Sequence, residues 1–327
     1  MEQIGILGGG VWGCALAKLL SKNNVNIFVR DEKLAFSINE KKITPKLKYL
    51  TFNDNVKSTL NINDLSNVEY LFIALPTQNI RDVLKNYSLQ NSDQKIIIAS
   101  KGIEINTKFF LSEVVKEVLG VNNISILSGP CFSHEVAQNL PTAVTLATEK
   151  KETFEKINKI FDNKNFRLYF SEDLIGCQIG GAIKNIYAIA AGISNGLNLG
   201  ENAKSALISR SFAEISRLGL ALNANSKTLF GLSGLGDLIL TCNSLQSRNT
   251  HFGHLIASQN KISIKEHLKS LDTTEGYFTV NAVHKIAEER NIDMPIMKAV
   301  YNILYKQADI KNELNLLLHR SSKTEIN

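Results

Sequence analysis

One lysine stands in the middle of a long apolar segment of the chain. Residues 174–200 read LIGCQIGGAIKNIYAIAAGISNGLNLG, and Lys184 is the only charged side chain among them. A lysine that is buried without a partner loses its proton easily, so its pKa falls from about 10.4 toward neutrality. Such an amine is a usable general base near pH 7. The pattern leaves open the alternative that the ammonium reaches solvent along the helix surface.

The first residues of the chain have the spacing of a dinucleotide-binding turn. In IGILGGGVWGCALAKLL, Gly8, Gly10 and Gly13 follow a short apolar run and open a helical pattern. Gly8 permits a tight turn, Gly10 lets the backbone approach a pyrophosphate, and Gly13 lets the helix lie close to the strand. We therefore predict that this turn binds NADP or NAD. The alternative is a glycine-rich turn that holds no ligand.

Arg30 and Asp31 follow the second predicted strand, where this type of domain recognises the adenosine ribose. An acidic side chain there binds the 2′-hydroxyl of NAD, whereas an arginine suits the 2′-phosphate of NADP. We favour NADPH because Arg30 comes first and arginine binds phosphate through bidentate contacts. The alternative is an exposed Arg–Asp pair that recognises nothing.

Two loops of the first half are further candidates. Lys101 stands at the end of a predicted parallel strand, at the sheet edge where ligands of α/β proteins collect. The segment SGPCFSHEV, residues 128–136, is another loop at a strand end, and it precedes a predicted helix N-terminus that favours anions. The alternative is that either loop is an ordinary connection with no role in a site.

The second half contains a glycine-rich turn that leads into Asp237, followed by a candidate anion site. Ser244 or Ser247 is predicted to cap the next helix, which places Arg248 and Asn249 in its first turn. The helix dipole disfavours a cation there, so Arg248 indicates a bound anion. The alternative is a surface arginine paired with a carboxylate.

Alternating strand and helix patterns position these residues. Apolar runs predict strands over 4–7, 26–29, 70–75, 95–100, 124–127 and 143–147, and helical patterns lie between them over 12–21, 79–87 and 110–119. Apolar strands separated by helices predict a mostly parallel sheet covered on both faces. After residue 173 only helices are predicted, over 174–195, 201–218, 246–258, 279–290 and 295–307. We expect a Rossmann-type α/β dinucleotide-binding domain over residues 1–174, followed by an all-α substrate and catalytic domain over residues 175–327.

Composition narrows the class of protein. The 327 residues are 44% hydrophobic, and the net charge of +6 is spread without a run of five like charges, so we expect no nucleic-acid partner. The four isolated cysteines predict reduced thiols and no metal site.

The N-terminus shows no secretory signal. A central lysine costs about 2.5–3.5 kcal/mol in a membrane helix, which argues against a membrane span. We expect a cytoplasmic protein.

The chain resembles the bacterial NAD(P)-dependent glycerol-3-phosphate dehydrogenases from about Ile4 to about His319. The resemblance is carried by GGGVWGCALA, VRDE, LPTQNIRDVL, SKGIE, SGPCF, GGAIKNIYAIAAGISNGL, GLSGLGDLILTC, QSRN and TEGY. Sister families of hydroxyacid and sugar-acid dehydrogenases share the glycine fingerprint and a similarly placed lysine. They do not carry KGIE, GLGDL and QSRN as a set.

The resemblance implies a role for each matching residue. Lys184 is implied to be the proton acceptor for the C2 hydroxyl. The implied substrate contacts are Lys101, Gly129, Cys131, Asp237, Ser247, Arg248 and Asn249. The implied cofactor contacts, in addition to the three glycines of the turn, are Val11, Trp12, Arg30, Lys101, Ser133, Arg248, Thr273 and Glu275.

The implied activity is the NAD(P)H-dependent interconversion of dihydroxyacetone phosphate and sn-glycerol 3-phosphate, which supplies phospholipid synthesis. A homodimer is implied as well. The sequence departs from the family pattern at Cys131, which replaces a hydroxyl residue, at residues 49–52, which lack a Pro-Gly pair, and at Phe278, where relatives often carry arginine. A related β-hydroxyacid dehydrogenase and a non-catalytic NADP-binding sensor remain alternatives.

Overall fold

The computed structural model describes residues 1–258, 264, 274–321 and 324. Eight strands form one sheet: β1 (Gln3–Leu7), β2 (Asn24–Phe28), β3 (Val56–Thr59), β4 (Tyr70–Ile73), β5 (Lys95–Ile98), β6 (Ile124–Ser128), β7 (Thr142–Thr148) and β8 (Phe166–Ser171). Their order is β3-β2-β1-β4-β5-β6-β7-β8. The first six strands are parallel to one another, in the order typical of Rossmann folds. This confirms the predicted fold of the first half.

All six predicted strands are present, with ends within two residues of the predicted ones. Strands β3 and β8 were not predicted, because neither contains a continuous apolar run. In β3, Val56 is buried and Lys57 is exposed, and in β8 Phe166 is buried and Arg167 is exposed. Both strands lie at the edges of the sheet, where one face is free to be polar.

The sheet reverses direction once, between β6 and β7. These two strands pair antiparallel, with Leu127 opposite Leu146, and β8 then pairs parallel to β7. The sheet is therefore mostly parallel, as predicted, with two reversed strands at one side.

Helices cover both faces of this sheet: α1 (Val11–Leu19), α2 (Glu32–Asn39), α3 (Ile80–Leu84), α4 (Leu111–Leu119), α5 (Ser133–Ala137) and α6 (Lys151–Phe161). One apolar core packs α1, α2 and α6 against the sheet, and a second core packs α3 and α4 against the opposite face. The carboxyl ends of the parallel strands thus stay open for ligands.

The second half is helical over the described residues: α7 (Leu174–Gly196), α8 (Gly200–Ala221), α9 (Ser226–Phe230), α10 (Asp237–Cys242), α11 (Arg248–Ser258), α12 (Glu275–Glu289), α13 (Pro295–Lys306) and α14 (Ile310–Leu318), with one π-helical turn at Leu232–Gly236. The five long predicted helices are present, as α7, α8, α11, α12 and α13. Helix α12 begins four residues earlier than predicted.

Helix α7 is the core of this half. Every residue from Gly176 to Ser194 is buried. By length and composition α7 is able to cross a membrane, but 83% of its most apolar window is buried inside the fold. Its apolar surface is therefore explained by packing against the helices around it.

Glycines let α11 lie directly on α7. A Cβ atom at Gly192 of α7 would come within 2.0 Å of the carbonyl oxygen of Thr250, and one at Gly253 of α11 would come within 2.0 Å of that of Ile189. Any side chain at either position would push the two helix backbones apart. This close packing holds the first turn of α11 in a fixed place relative to the middle of α7.

We expect Gly253→Ala to lower the free energy of unfolding by about 1–3 kcal/mol, because an added methyl in a packed contact forces a backbone shift. Thermal or denaturant unfolding measures this. Gly236→Ala is the matched control, since its new Cβ would meet its nearest neighbour at 3.7 Å. Equal stability of the two variants would show that the α7–α11 contact is not tight.

Candidate active site

Lys184 is buried, but it is not alone. Its side chain is 10% exposed, and its Nζ lies 2.5 Å from Oδ1 of Asp237 and 2.8 Å from Oγ1 of Thr241. The side chain therefore does not reach solvent along the helix. The premise that this lysine lacks a partner is wrong, because a carboxylate 53 positions later in the chain contacts it.

Asp237 is shared between two lysines. Its other oxygen, Oδ2, accepts a hydrogen bond from Lys101 Nζ at 2.7 Å, and the side chain of Asp237 is fully buried. Lys101 Nζ also donates to the carbonyl oxygen of Gly129 at 2.9 Å. Four separate elements meet here: the ends of β5 and β6, the middle of α7, and the start of α10.

The shared carboxylate gives the two lysines opposite pKa shifts. Burial lowers the pKa of Lys184, and the charge of Lys101 lowers it further, against the opposing effect of Asp237. Burial also acts to lower the pKa of Lys101, but the charges and hydrogen bonds of Asp237 and Cys131 together outweigh it and hold that pKa above its ordinary value. Lys101 thus holds its proton more tightly than an ordinary lysine, whereas Lys184 releases its proton more readily than an ordinary lysine.

Two consecutive glycines of α7 make this meeting possible. A Cβ atom at Gly180 would come within 2.3 Å of the carbonyl oxygen of Ser233, in the π-helical turn that precedes Asp237. A Cβ atom at Gly181 would come within 2.5 Å of Oγ of Ser128. The glycines before Lys184 therefore let Asp237 on one side and the end of β6 on the other approach the lysine.

The loop after β6 supplies Gly129, Cys131 and Ser133. Gly129 has a φ of +151°, and a Cβ there would come within 2.9 Å of the backbone of Val144, so only glycine fits. The thiol of Cys131 lies 3.1 Å from the carbonyl oxygen of Gly129 and 3.8 Å from Lys101 Nζ. Burial raises the pKa of Cys131. Ser133 is the first residue of α5 and is half-buried.

The glycine turn after β1 has the geometry that its spacing predicts. Gly8 has a φ of +118°, and a Cβ at Gly13 would come within 1.9 Å of the carbonyl oxygen of Gly8. A Cβ at Gly10 would have no neighbour within 4 Å, so the backbone there faces open space. Val11 and Trp12 begin α1, and the Trp12 indole N–H donates to the carbonyl oxygen of Ala99. This open turn at a helix N-terminus fits a pyrophosphate.

Arg30 and Asp31 have different surroundings at the end of β2. Asp31 is the N-cap of α2, and its Oδ1 accepts a hydrogen bond from the backbone N–H of Lys33 at 2.9 Å. Arg30 is exposed, and no ion pair joins it to Asp31 within the described residues. The carboxylate thus has a structural partner, whereas the guanidinium is accessible to a ligand.

Helix α11 begins as predicted. The Oγ of Ser247 accepts a hydrogen bond from the backbone N–H of Thr250 at 3.3 Å, so Ser247 is the cap, and Arg248 is exposed in the first turn. Asn249 is buried. Its amide nitrogen donates to Oδ1 of Asn185, and its Oδ1 accepts from the backbone N–H of Gly276.

This pair of hydrogen bonds links three site elements in a way the sequence did not reveal. Asn185 follows Lys184, Asn249 follows Arg248, and Gly276 follows Glu275. The chain Asn185–Asn249–Gly276 therefore fixes the three charged neighbours relative to one another. The adjacency of Asn185 to Lys184 was the available signal. Thr241, one helical turn after Asp237, was also missed.

Glu275 begins α12 and reaches across to the first half of the chain. Its Oε1 accepts a hydrogen bond from the backbone N–H of Thr77 at 3.0 Å, and its Oε2 is buried without a partner in the described part of the chain. Burial raises the pKa of Glu275. An unpaired buried acceptor fits a hydroxyl or amide donor of a cofactor.

Thr273, the other predicted cofactor contact in this region, lies outside the described residues. Within the described residues, no group of three side chains is arranged to bind a metal ion.

Comparisons with known proteins agree with this geometry. Models of the N-terminus and C-terminus of NAD-dependent glycerol-3-phosphate dehydrogenase match residues 3–154 and 173–315. A protein of Erythrobacter litoralis named glycerol-3-phosphate dehydrogenase (NAD(P)+) is 38% identical, over 99% of this chain and 98% of its own length. A protein of the same name from Francisella tularensis subsp. novicida is 39% identical, with 99% of each chain covered. The crystal structure of glycerol-3-phosphate dehydrogenase from Coxiella burnetii superposes with a TM-score of 0.92 at 33% identity, over 98% of this chain and 99% of that one.

We expect Asp237→Asn to destabilise the protein by about 3–5 kcal/mol at pH 7, because two buried ammonium groups lose their counter-ion. The pKa of Lys101 then falls from above its unfolded value to below it, and the pKa of Lys184 falls further below its unfolded value. The unfolded chain binds more protons than the native one in that range, so the deficit shrinks as the pH rises from 7 toward 10. Chemical denaturation at several pH values measures it.

The control for this series is Asp162→Asn, which removes the surface partner of Lys22 at a side chain that is 74% exposed. Its effect is expected to be small and independent of pH. A deficit in Asp237→Asn that stays constant between pH 7 and 10 contradicts the assignment of two competing lysines.

Proposed function

The chain belongs to the NAD-dependent glycerol-3-phosphate dehydrogenase family, and from this membership we propose how its residues interconvert dihydroxyacetone phosphate and sn-glycerol 3-phosphate. It is an NAD(P)-dependent oxidoreductase acting on a small molecule. Its product is the glycerol 3-phosphate used in phospholipid synthesis. The observation that carries the proposal is the buried carboxylate of Asp237 between Lys101 and Lys184.

Lys184 is the proposed acid–base group. In the oxidative direction its neutral amine accepts the proton of the C2 hydroxyl, and in the reductive direction its ammonium returns that proton to the carbonyl oxygen. The lowered pKa of Lys184 supports both roles, because an amine poised closer to neutrality exchanges its proton readily. When bound, the nicotinamide cofactor supplies or accepts the hydride.

Lys101 is proposed to stabilise negative charge on the reacting oxygen. It keeps its proton, because Asp237 holds its pKa above the ordinary value. A fixed cation in a largely buried site stabilises an alkoxide strongly without having to reorganise. Asp237 was expected to contact substrate, but both its oxygens already accept hydrogen bonds from lysines. We therefore propose that Asp237 holds the two lysines, and that substrate meets the lysines.

The first turn of α11 is the proposed phosphate site. Arg248 is exposed at a helix N-terminus, where backbone N–H groups and the dipole favour an anion. Each charge-assisted hydrogen bond to phosphate contributes about 1.5–3 kcal/mol. This preference favours a phosphate ester over free glycerol. We propose that Ser247 and Asn249 act mainly by fixing this turn, as cap and as hydrogen-bond link, beside the bound phosphate.

The proposed cofactor site joins the glycine turn, Arg30 and Glu275. Gly10 leaves room for the pyrophosphate, and the unpaired Oε2 of Glu275 is an acceptor for a cofactor donor. Val11, Trp12, Lys101, Ser133, Arg248 and Thr273 complete the set that we propose. We favour NADPH, because Arg30 is exposed while the carboxylate of Asp31 is bonded to its own helix.

We also propose the domain division, the oligomeric state and the location of the protein from its family membership. Residues 1–174 form the dinucleotide-binding domain and residues 175–327 the substrate domain, a division supported by β8 ending at Ser171 and α7 beginning at Leu174. We also propose a cytoplasmic homodimer, as the family resemblance implies. We propose that Gly129 and Cys131, which both contact Lys101 Nζ, contribute to the substrate site.

The direct test is oxidation of NADPH and NADH by the purified protein in the presence of dihydroxyacetone phosphate, with unphosphorylated dihydroxyacetone as control. We expect turnover with the phosphate ester, and a kcat/KM at least about tenfold lower without the phosphate, because one lost charge-assisted bond costs 1.5 kcal/mol or more. Turnover of a β-hydroxyacid in place of the phosphate ester supports the related dehydrogenase. Cofactor binding without turnover of either substrate supports a sensor.

Lys184→Met removes the amine and keeps the length of the side chain. We expect this variant to bind NADPH normally and to lose nearly all turnover, because the proton has no acceptor. Fluorescence titration of NADPH and steady-state rates measure the two properties. Lys204→Met on α8 serves as the matched control. Wild-type turnover in Lys184→Met excludes this residue as the base.

Arg30→Ala should weaken NADPH by about tenfold or more and leave NADH nearly unchanged, because only NADPH carries the 2′-phosphate. Asp31→Asn is the control: asparagine keeps the helix cap, so we expect neither cofactor to bind differently. Isothermal titration measures both. Equal weakening of the two cofactors by Arg30→Ala removes Arg30 as the phosphate contact.

A further inference from the structure

Lys101 lies on a loop that is hydrogen-bonded along its length to an adjacent segment. We call residues 100–105 the Lys101 loop and residues 77–81, which run from the turn after β4 into the first turn of α3, the bracing segment. The Oγ1 of Thr77 donates to the carbonyl oxygen of Lys101, and a Cβ at Gly102 would come within 2.2 Å of that same Oγ1. The two stretches are therefore in contact at the reacting lysine itself.

The side-chain amide of Gln78 continues this contact along the loop. Its Nε2 donates to the carbonyl oxygen of Ile103 at 2.9 Å, and its Oε1 accepts from the backbone N–H of Ile105 at 3.1 Å. One amide thus satisfies both backbone groups of an irregular stretch. Backbone groups bonded in this way resist rotation of the loop.

An arginine–carboxylate ion pair also joins the bracing segment to the Lys101 loop. Arg81 Nε lies 2.9 Å from Oε1 of Glu104, and its Nη2 lies 2.9 Å from Oε2 of the same residue. The Oγ1 of Thr107 also donates a hydrogen bond to Oε2 of Glu104. The side chain of Glu104 is 8% exposed and that of Arg81 is 20% exposed. This is a desolvated bidentate pair, unlike the surface ion pairs that contribute little.

We propose that Arg81 is a positioning residue for Lys101: by holding Glu104 bidentately, it fixes the Lys101 loop so that Lys101 Nζ meets both Asp237 and the substrate oxygen. The proposal rests on the proposed function, because it assigns Lys101 to the reacting oxygen. Glu104 is three residues from Lys101 on the same loop, so its carboxylate anchors the backbone close to the lysine. Among the described residues, Arg81 pairs with Glu104 and Glu117 and with neither of the two reacting lysines.

Arginine is required at this position because its planar fork matches both carboxylate oxygens, which a lysine ammonium does not. Arg81 also contacts Glu117 on α4 at 2.7 Å, but that side chain is 53% exposed. The two carboxylates share one arginine and differ in whether they lie on the Lys101 loop. They therefore form a matched pair for an experiment.

The experiment compares Arg81→Lys and Glu104→Gln with Glu117→Gln, in the full-length protein. Wild type is assayed first with dihydroxyacetone phosphate, so that absence of turnover there identifies failure of the proposed function separately. At saturating NADPH we expect the first two variants to lose about 10- to 100-fold in kcat, with a higher KM for the phosphate ester, because small misplacement of a reacting group is costly. Glu117→Gln is expected to match wild type.

A pH profile separates positioning from a structural role. The titratable groups near Lys184 are Asp237, Lys101, Cys131 and Cys242, and the charge of Lys101 lowers the pKa of Lys184. If Lys101 is displaced, the pKa of Lys184 rises. The acid limb of kcat/KM for glycerol 3-phosphate oxidation then moves to higher pH in Arg81→Lys and Glu104→Gln.

A lower melting temperature with wild-type kcat and an unmoved pH profile overturns the proposal and leaves the pair a purely structural one. Equal losses in Glu104→Gln and Glu117→Gln overturn it as well, because the effect then does not run through the Lys101 loop. A wild-type kcat at saturating NADPH in both Arg81→Lys and Glu104→Gln contradicts it too, since the fault then lies in cofactor binding.

Discussion

The site depends on one buried carboxylate held between two lysines. Asp237 is fully buried, and burying a charge is tolerated only when it is paired and hydrogen-bonded. With two lysines available, one ammonium suffices to balance Asp237. The second lysine is then free to be neutral. We propose that this competition gives chemically identical side chains different roles, in which Lys101 remains a cation and Lys184 carries the proton.

The fold has to bring distant parts of the chain to this carboxylate. Lys101 is 136 positions from Asp237 and comes from the sheet, whereas Lys184 comes from the buried helix α7. Close backbone approaches at Gly180 and Gly181 make room for both. The hydrogen bonds of Asn185, Asn249 and Gly276 then carry the same alignment to Arg248 and Glu275. Close contacts at glycines and buried hydrogen bonds thus set the distances between the charged groups of the site.

Local sequence patterns predicted much of the fold and part of the site. They did not predict the features that depend on contacts between residues far apart in the chain. The glycine turn, six of the strands and the buried lysine are visible in the sequence, because each depends on neighbours a few residues away. The edge strands β3 and β8 are not, since alternating Val56 and Lys57 resemble a loop as much as a strand. The partner of Lys184 could not be derived from periodicity at all. Asp31 and Arg30 stand side by side in sequence, and only the N-cap of α2 shows that the carboxylate is already bonded.

The claim that Lys101 and Lys184 divide the two protonation states is open to direct measurement. Lysine labelled with ¹³C at the ε-carbon is titrated by NMR, and Lys101→Arg and Lys184→Arg assign the two signals. The account predicts that Lys184 titrates below the ordinary value of 10.5 and Lys101 above it. If Lys184 keeps its proton to a higher pH than Lys101, the roles assigned to the two lysines are reversed and the account is contradicted.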